Sequence, residues 1–152
     1  MGKIDILIGK KVLVVDDEPD IIETLEEVLV MCEVDAARDF ESAIEMLGKN
    51  QYDIAVLDIM GVNGYELLGI AKEKGVTSVM LTAHAISQDN FENSMNLGAH
   101  AYLPKDRMME LDVFLSDVLN EKDKEPGKLG KWFDRLKGYY AKKFGNPEWM
   151  DE

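Results

Sequence analysis

The chain has 152 residues, of which 46% are hydrophobic and 31% charged, and its formal net charge is −13. This length and composition fit one folded domain with a short appendage and exclude a wholly disordered chain. No apolar stretch approaches the roughly 20 residues of a membrane span, no signal-peptide pattern opens the chain, and the acidic balance argues against nucleic-acid binding. The single cysteine, Cys32, cannot form an internal disulfide, so we expect a reducing, cytoplasmic location.

Short apolar runs alternate with amphipathic segments along most of the chain. Runs without polar alternation predict strands that are buried on both faces of a parallel sheet. They are residues 12–15, 54–57 and 78–81, with weaker candidates at 34–37 and 100–103. The intervening and following segments carry apolar residues at helical spacing. They are residues 21–29, 39–48, 64–74, 87–97 and 107–120. Five strands alternating with five helices predict a (βα)5 fold, a doubly wound α/β domain.

The composition changes near residue 120, where we expect the main domain to end. Residues 1–120 hold 9 Lys and Arg against 23 Asp and Glu, whereas residues 121–152 hold 8 against 7. We therefore expect a domain over 10–120, a linker over 121–127 and an amphipathic helical extension over 128–152. One face of the extension is apolar and the other is basic. The apolar face carries Leu129, Trp132, Phe133, Leu136, Tyr140 and Phe144, and the basic face carries Lys128, Lys131, Arg135, Lys137, Lys142 and Lys143.

The apolar face of this extension predicts contact with another surface. We expect the helix to fold back onto the main domain or to pair with a second copy in a homodimer. Docking on a partner helix and lying on an anionic membrane are the alternatives, because Trp and Phe opposite a basic face are typical of interfacial helices. The roughly 30 residues after position 120 are too few for a second core, so we expect no separate effector domain.

Charged and polar residues follow the predicted strands at their C-terminal ends. Asp16 and Asp17 follow the first strand and Asp58 follows the third. Thr82 lies at the end of the fourth, and Lys105 at the end of the fifth. Ligands of open parallel sheets bind at this edge, so we expect these side chains to converge there. Closely packed carboxylates repel one another, and Mg²⁺, which prefers oxygen ligands, would remove the conflict.

This arrangement predicts phosphoryl chemistry at Asp58. A carboxylate beside a metal ion can attack phosphorus and form an acyl phosphate. Lys105 would balance the charge of the phosphoryl oxygens, and Thr82 would donate a hydrogen bond to one of them. Each residue alone has a plainer explanation, since an Asp after a strand often serves in a turn or a helix cap. Their joint placement on successive strand ends is what indicates a site.

Four segments of the chain resemble the receiver domain of bacterial two-component response regulators. They are VLVVDDEPD, AVLDIMGVNGYELL, VMLTAHA and GAHAYLPKD, and the resemblance runs from about Lys10 to Asn120. It implies a flavodoxin-like fold with strand order 2-1-3-4-5, to which the extension would add an accessory helix. It also implies a signalling protein and not an enzyme. Response regulators usually carry an effector domain after the receiver, but only about 30 residues follow here, so we expect a single-domain receiver with an accessory helix.

The resemblance implies a phosphorylation site with Mg²⁺ as cofactor. Asp58 would accept the phosphoryl group from a partner histidine kinase, or exchange it with a histidine phosphotransfer protein. Lys105 would pair with that group. Asp17, Asp58 and the backbone carbonyl of Met60 would bind Mg²⁺ directly, while Asp16 would act through water.

The resemblance also implies a switch and a control of the phosphoryl lifetime. Thr82 would move toward the phosphoryl group, coupled to the aromatic ring of Tyr102 on the fifth strand. This shift would remodel the face of the fourth helix, fifth strand and fifth helix, where a downstream protein docks. Met60 and His84 stand two residues beyond Asp58 and Thr82, flank the route of the attacking water, and would tune the lifetime.

Two departures from the family pattern affect this site. Receivers commonly read D-x-x-M-P-x-M-D-G after the acceptor, whereas this chain reads D-I-M-G-V-N-G, which is about two residues shorter and lacks the proline. We expect Gly61 and Gly64 to absorb the tighter turn. The family lysine usually precedes a proline in a cis bond, whereas Lys105 follows Pro104 and precedes Asp106.

Two other functions remain open on the sequence. The shortened loop is compatible with a degenerate receiver that binds its partner without phosphorylation. A phosphohydrolase of the aspartyl-phosphate class would turn over many equivalents of a small substrate. Enzymes that resemble haloacid dehalogenases usually carry D-x-D-x-T at the nucleophile, and the DIMGV of this chain lacks the second Asp. The retained carboxylates, hydroxyl and lysine favour a working receiver.

Overall fold

A parallel sheet lies at the centre of the fold in the computed structural model, which describes residues 3–83, 86–121 and 129–145. Within these ranges the sheet has five strands in the order 2-1-3-4-5. They are β1 (Lys11–Val15), β2 (Glu33–Ala37), β3 (Ile54–Leu57), β4 (Thr77–Thr82) and β5 (Ala101–Pro104). All neighbouring strands are parallel. The flavodoxin-like fold expected from the sequence is therefore confirmed.

Helices pack against the sheet and against one another. Over the described ranges they are α1 (Pro19–Val28), α2 (Phe40–Lys49), α3 (Gly64–Glu73), α4 (Gln88–Asn96), α5 (Leu111–Asn120) and α6 (Lys131–Phe144), with 3-10 helices at Lys3–Leu7 and Lys105–Glu110. The predicted helix over 107–120 begins later, at Leu111. Its first residues form a 3-10 turn instead, because the backbone of Arg107 is not helical there (φ −114°, ψ 19°). None of the helices in the described ranges combines the length and the apolarity needed to cross a bilayer.

Burial of the strands explains their apolar runs. Every residue of β3 is buried, and β1 is buried from Val12 onward. The edge strand β2 differs, since Glu33 and Asp35 are exposed and only Ala37 is buried. Incomplete cover of β2 accounts for its weaker sequence pattern, whereas the other edge strand, β5, is buried at every residue.

The C-terminal helix α6 packs on the side of the sheet formed by α4, β5 and α5. Phe91 of α4 and Tyr102 of β5 lie against its aromatic side chains, and Arg135 of α6 pairs with a carboxylate of α5. The expectation that the extension folds back onto the main domain is confirmed for the described part. The expected linker beyond Glu121, together with Trp149 and the rest of the extension after residue 145, lies outside the described residues.

Two glycines shape the short loop between β3 and α3. Gly61 has a φ of +83°, which favours glycine. Gly64 approaches the end of β3 so closely that an added Cβ would lie 2.0 Å from the backbone oxygen of Asp58. The N–H of Gly64 also donates to the carbonyl of Ile59 at 3.1 Å, which closes the turn. The two glycines therefore absorb the shortened loop, as expected.

We predict that Gly64→Ala destabilises the protein by about 2 kcal/mol or more, because the loop backbone must move away from Asp58. Gly69→Ala is the matched control in the same helix, since an added Cβ at Gly69 meets no atom within 4 Å. This control should stabilise the protein by up to about 1 kcal/mol, because alanine has the higher helix propensity. Urea unfolding followed by circular dichroism measures both changes. Equal stability of the two variants would contradict the close approach at Gly64.

Candidate functional site

A lysine ammonium group lies between two buried carboxylates at the C-terminal edge of the sheet. Asp16, Asp58 and Lys105 directly follow β1, β3 and β5. The Nζ atom of Lys105 lies 2.7 Å from Oδ2 of Asp16 and 3.6 Å from Oδ2 of Asp58. Because β4 stands between β3 and β5, the long lysine side chain spans the end of that strand. Lys105 makes these contacts although Asp106, and not the proline of the family pattern, follows it.

Burial controls the electrostatics of this cluster. Asp16, Asp58 and Lys105 are only 2%, 6% and 7% exposed. Burial raises the pKa of Asp58 to about 6, and the charge of Asp16 adds to the shift while Lys105 opposes it. Burial by itself lowers the pKa of Lys105, but the close contact with Asp16 and the surrounding carboxylate charges outweigh it, so the pKa is raised. The lysine therefore stays charged, and the site as a whole carries excess negative charge.

The carboxylates around Asp17 fit a magnesium ion. Asp16, Asp17 and Glu18 each offer a carboxylate oxygen, and these oxygens lie within 4.8 Å of one another. The loop after β3 closes over this group, since a Cβ added at Gly61 would lie 2.5 Å from Oδ2 of Asp17. All the donors are hard oxygen atoms, which are the ligands that Mg²⁺ prefers. A divalent cation would also offset the excess negative charge beside Asp58.

Glu18 belongs to this cluster, although the sequence pattern did not single it out. Its Oε1 lies 3.6 Å from Nζ of Lys105, and its side chain is 48% exposed. Its backbone N–H donates to Oδ1 of Asp16 at 2.9 Å. One oxygen of Asp16 is thus held by the turn before α1 while the other faces the lysine. The sequence feature that could have indicated this role is that Glu18 is the third consecutive acidic residue after β1.

The other predicted site residues differ in where they lie in the fold and in how deeply they are buried. Thr82 is fully buried at the end of β4 and is in register with Pro104, the residue before the lysine. Met60 lies in the loop after β3 and is 57% exposed. Tyr102 is fully buried within β5, in contact with α6. His84 lies outside the described residues.

Similarity to known proteins is consistent with this geometry. The sequence profile of the response regulator receiver domain matches residues 12–114. The two-component response regulator ARR18 of Arabidopsis thaliana is 33% identical over 80% of this chain and 20% of its own length. The probable transcriptional regulator ycf27 of Guillardia theta is 35% identical over 80% of this chain and 50% of its own length. The chain therefore spans between a fifth and a half of the length of these relatives.

A solved structure shows the same fold. The CheY-like receiver domain protein of Methanospirillum hungatei JF-1 is 26% identical, with a TM-score of 0.62 over 74% of this chain and 98% of its own. The strand order and the match over residues 12–114 agree on the same region. The chain belongs to the response regulator receiver domain family of two-component signalling.

Proposed function

We propose that this receiver domain accepts a phosphoryl group on Asp58 from a partner histidine kinase, or exchanges it with a histidine phosphotransfer protein, with Mg²⁺ as cofactor. The position of Asp58 carries the proposal. Its buried carboxylate follows a central strand, lies 3.6 Å from the ammonium of Lys105, and stands beside the acidic cluster that begins at Asp16. A nucleophile reacts faster when the fold holds it in a fixed position and when a nearby positive charge stabilises the oxygens of the incoming phosphoryl group.

In the proposed transfer, a carboxylate oxygen of Asp58 attacks the phosphorus of a phosphohistidine. The new O–P bond forms as the P–N bond to the imidazole breaks, and the imidazole nitrogen keeps the electron pair. Only the ionised carboxylate can attack. A pKa of about 6 leaves most of the Asp58 carboxyl ionised at neutral pH. The neighbouring ammonium of Lys105 favours this ionised form.

Neighbouring residues support this step in distinct ways. Bound Mg²⁺ would neutralise the carboxylates and the phosphoryl oxygens. Asp17, Asp58 and the backbone carbonyl of Met60 would hold the ion directly, and Asp16 would do so through water. The ion pair with Lys105 suits Asp16 for that indirect role, because it already occupies one of the carboxylate oxygens.

The switch and the phosphoryl lifetime follow from residues around the acceptor. Thr82 would donate a hydrogen bond to the phosphoryl group, and its movement would shift the ring of Tyr102 on the neighbouring strand. Met60 and His84 would control access of the attacking water. The exposed side chain of Met60 suits this role, since it lies on the solvent side of the loop that carries it. The result is a stoichiometric switch that changes the binding of a downstream protein.

We predict a single Mg²⁺-dependent phosphate adduct after incubation with acetyl phosphate, measured by intact-mass spectrometry. Acetate leaves with the electron pair as Asp58 bonds to phosphorus. Asp58→Asn should abolish the adduct, because the amide is not a nucleophile. Asp89→Asn, which removes the charge of an exposed acid in α4, should label like the wild type. Continuous release of many phosphate equivalents would indicate a hydrolase, and no adduct at all would favour an unphosphorylated binding module.

We predict that Asp58→Asn stabilises the metal-free protein at neutral pH. The folded-state pKa of Asp58 is about 6 against a reference value of 3.8, so ionisation of this carboxyl costs stability as the pH rises from about 4 to about 6, and the cost is constant at higher pH. The neutral amide avoids this cost, so the free energy of unfolding of the variant should exceed that of the wild type by at most about 3 kcal/mol above pH 7. The advantage should vanish below about pH 4, where the acid is protonated in both states.

Urea unfolding in EDTA between pH 4 and pH 8 measures this difference. Added Mg²⁺ should stabilise the wild type more than Asp58→Asn, because the metal ion would lose a charged ligand in the variant. Parallel pH profiles of the two proteins in EDTA would contradict the raised pKa. Equal stabilisation of both by Mg²⁺ would contradict the role of Asp58 as a ligand.

A further inference from the structure

Helix α6 is docked on the face of α4, β5 and α5 through an aromatic cluster. Phe91 of α4 lies at its centre, with its ring centroid 5.3 Å from that of Tyr102 and 5.2 Å from that of Tyr140. Three more rings of α6 lie 6.3, 5.8 and 5.8 Å from Phe91, those of Trp132, Phe133 and Phe144. Trp132 and Tyr140 are only 2% and 0% exposed. Burial of such large rings is a strong driving force for docking.

Polar contacts fix the position of α6 on this face. Nε and Nη2 of Arg135 lie 2.6 and 3.3 Å from the two carboxylate oxygens of Asp117 in α5. Asp117 is only 4% exposed, and a buried carboxylate without a cation would be costly. The hydroxyl of Tyr139 donates to Oδ2 of Asp106 at 3.0 Å. The face therefore combines an apolar surface with a buried carboxylate that pairs with a guanidinium group from a helix.

Tyr140 connects α6 to the proposed switch residue. Its hydroxyl donates to the backbone carbonyl of Tyr102, and the two ring centroids lie 6.0 Å apart. The hydroxyl of Tyr102 accepts a hydrogen bond from the backbone N–H of Ser87 at 3.4 Å, at the start of α4. In a closely packed interface a shift of the Tyr102 ring changes the contacts of all its neighbours. Movement of the switch and docking of α6 are thus linked through shared atoms.

We propose that α6 is an intramolecular ligand that occupies the face of α4, β5 and α5, here called the output face, until Asp58 is phosphorylated. A partner protein then binds the same face through an amphipathic helix of the same chemistry, with an aromatic stripe and an arginine that pairs with Asp117. This inference rests on the proposed phosphorylation, which shifts Tyr102 and weakens the docking of α6. A short tether gives α6 an effective concentration in the millimolar range, so a partner helix competes with it only after that weakening.

A labelled peptide of residues 129–145 tests whether the face binds a helix. In the full chain, Leu136→Asp places a carboxylate at a fully buried position of α6 and should detach the helix. Gly138→Asp is the matched control, since it adds the same residue where a Cβ meets no atom within 4 Å. Fluorescence anisotropy should show at least about tenfold tighter peptide binding to Leu136→Asp than to the control or the wild type. Equal binding to all three, with folding verified by circular dichroism, overturns the proposal.

Hydrogen exchange of the full chain tests the coupling and does not depend on the folding of Leu136→Asp. Amides of α6 should exchange about fivefold faster or more when Asp58 carries the acetyl-phosphate adduct, with no change in Asp58→Asn. Tyr140→Phe keeps the ring and loses the hydrogen bond to Tyr102. The amides of α6 should therefore exchange faster in this variant than in the wild type, even without an adduct. The intact mass of the same samples shows whether the phosphate adduct is present, which separates failure of this inference from failure of the proposed function. An adduct with unchanged exchange overturns this inference alone, and no adduct overturns the proposed function with it.

Discussion

The ion pair between Lys105 and Asp16, with Asp58 beside it, is the interaction on which the rest of the site depends. Buried charges require partners, and here one ammonium group faces two buried carboxylates. The remaining negative charge helps to raise the pKa of Asp58 to about 6 and favours a cation at this edge. The parallel sheet holds the three residues in place, since each directly follows a strand. Converging strand ends thus bring these side chains together in the cluster for which we propose phosphoryl transfer.

The sequence predicts those features that depend on local pattern. Central strands covered on both faces leave apolar runs, and the glycines after Asp58 indicate a tight loop, so both were predicted correctly. The beginning of α5 was misplaced because the non-helical backbone at Arg107 interrupts an otherwise periodic pattern. The contact of Glu18 with Lys105 and the pairing of Arg135 with Asp117 were missed, because they join segments far apart in the chain. Amphipathicity showed that one face of α6 must be covered, and only packing showed which surface covers it.

The docking of α6 explains why the C-terminal segment differs in composition from the acidic main domain. Its aromatic stripe is buried against α4, β5 and α5, while Lys131, Lys137, Lys142 and Lys143 remain exposed. The stripe that suggested a membrane surface is therefore covered within the chain itself. An arginine of this basic helix pairs with a buried carboxylate of the acidic body. On the proposal above, α6 regulates access to the face of α4, β5 and α5.

The most direct test of the central claim is a crystal structure of the full chain grown with Mg²⁺ and beryllofluoride, an analogue of the phosphoryl group. The account predicts beryllium bonded to a carboxylate oxygen of Asp58, with a fluorine in contact with Nζ of Lys105. It also predicts Mg²⁺ held by Asp17, by Asp58 and by the backbone carbonyl of Met60. An unmodified Asp58, or a metal ion bound by Asp17 and Glu18 without Asp58, would contradict it.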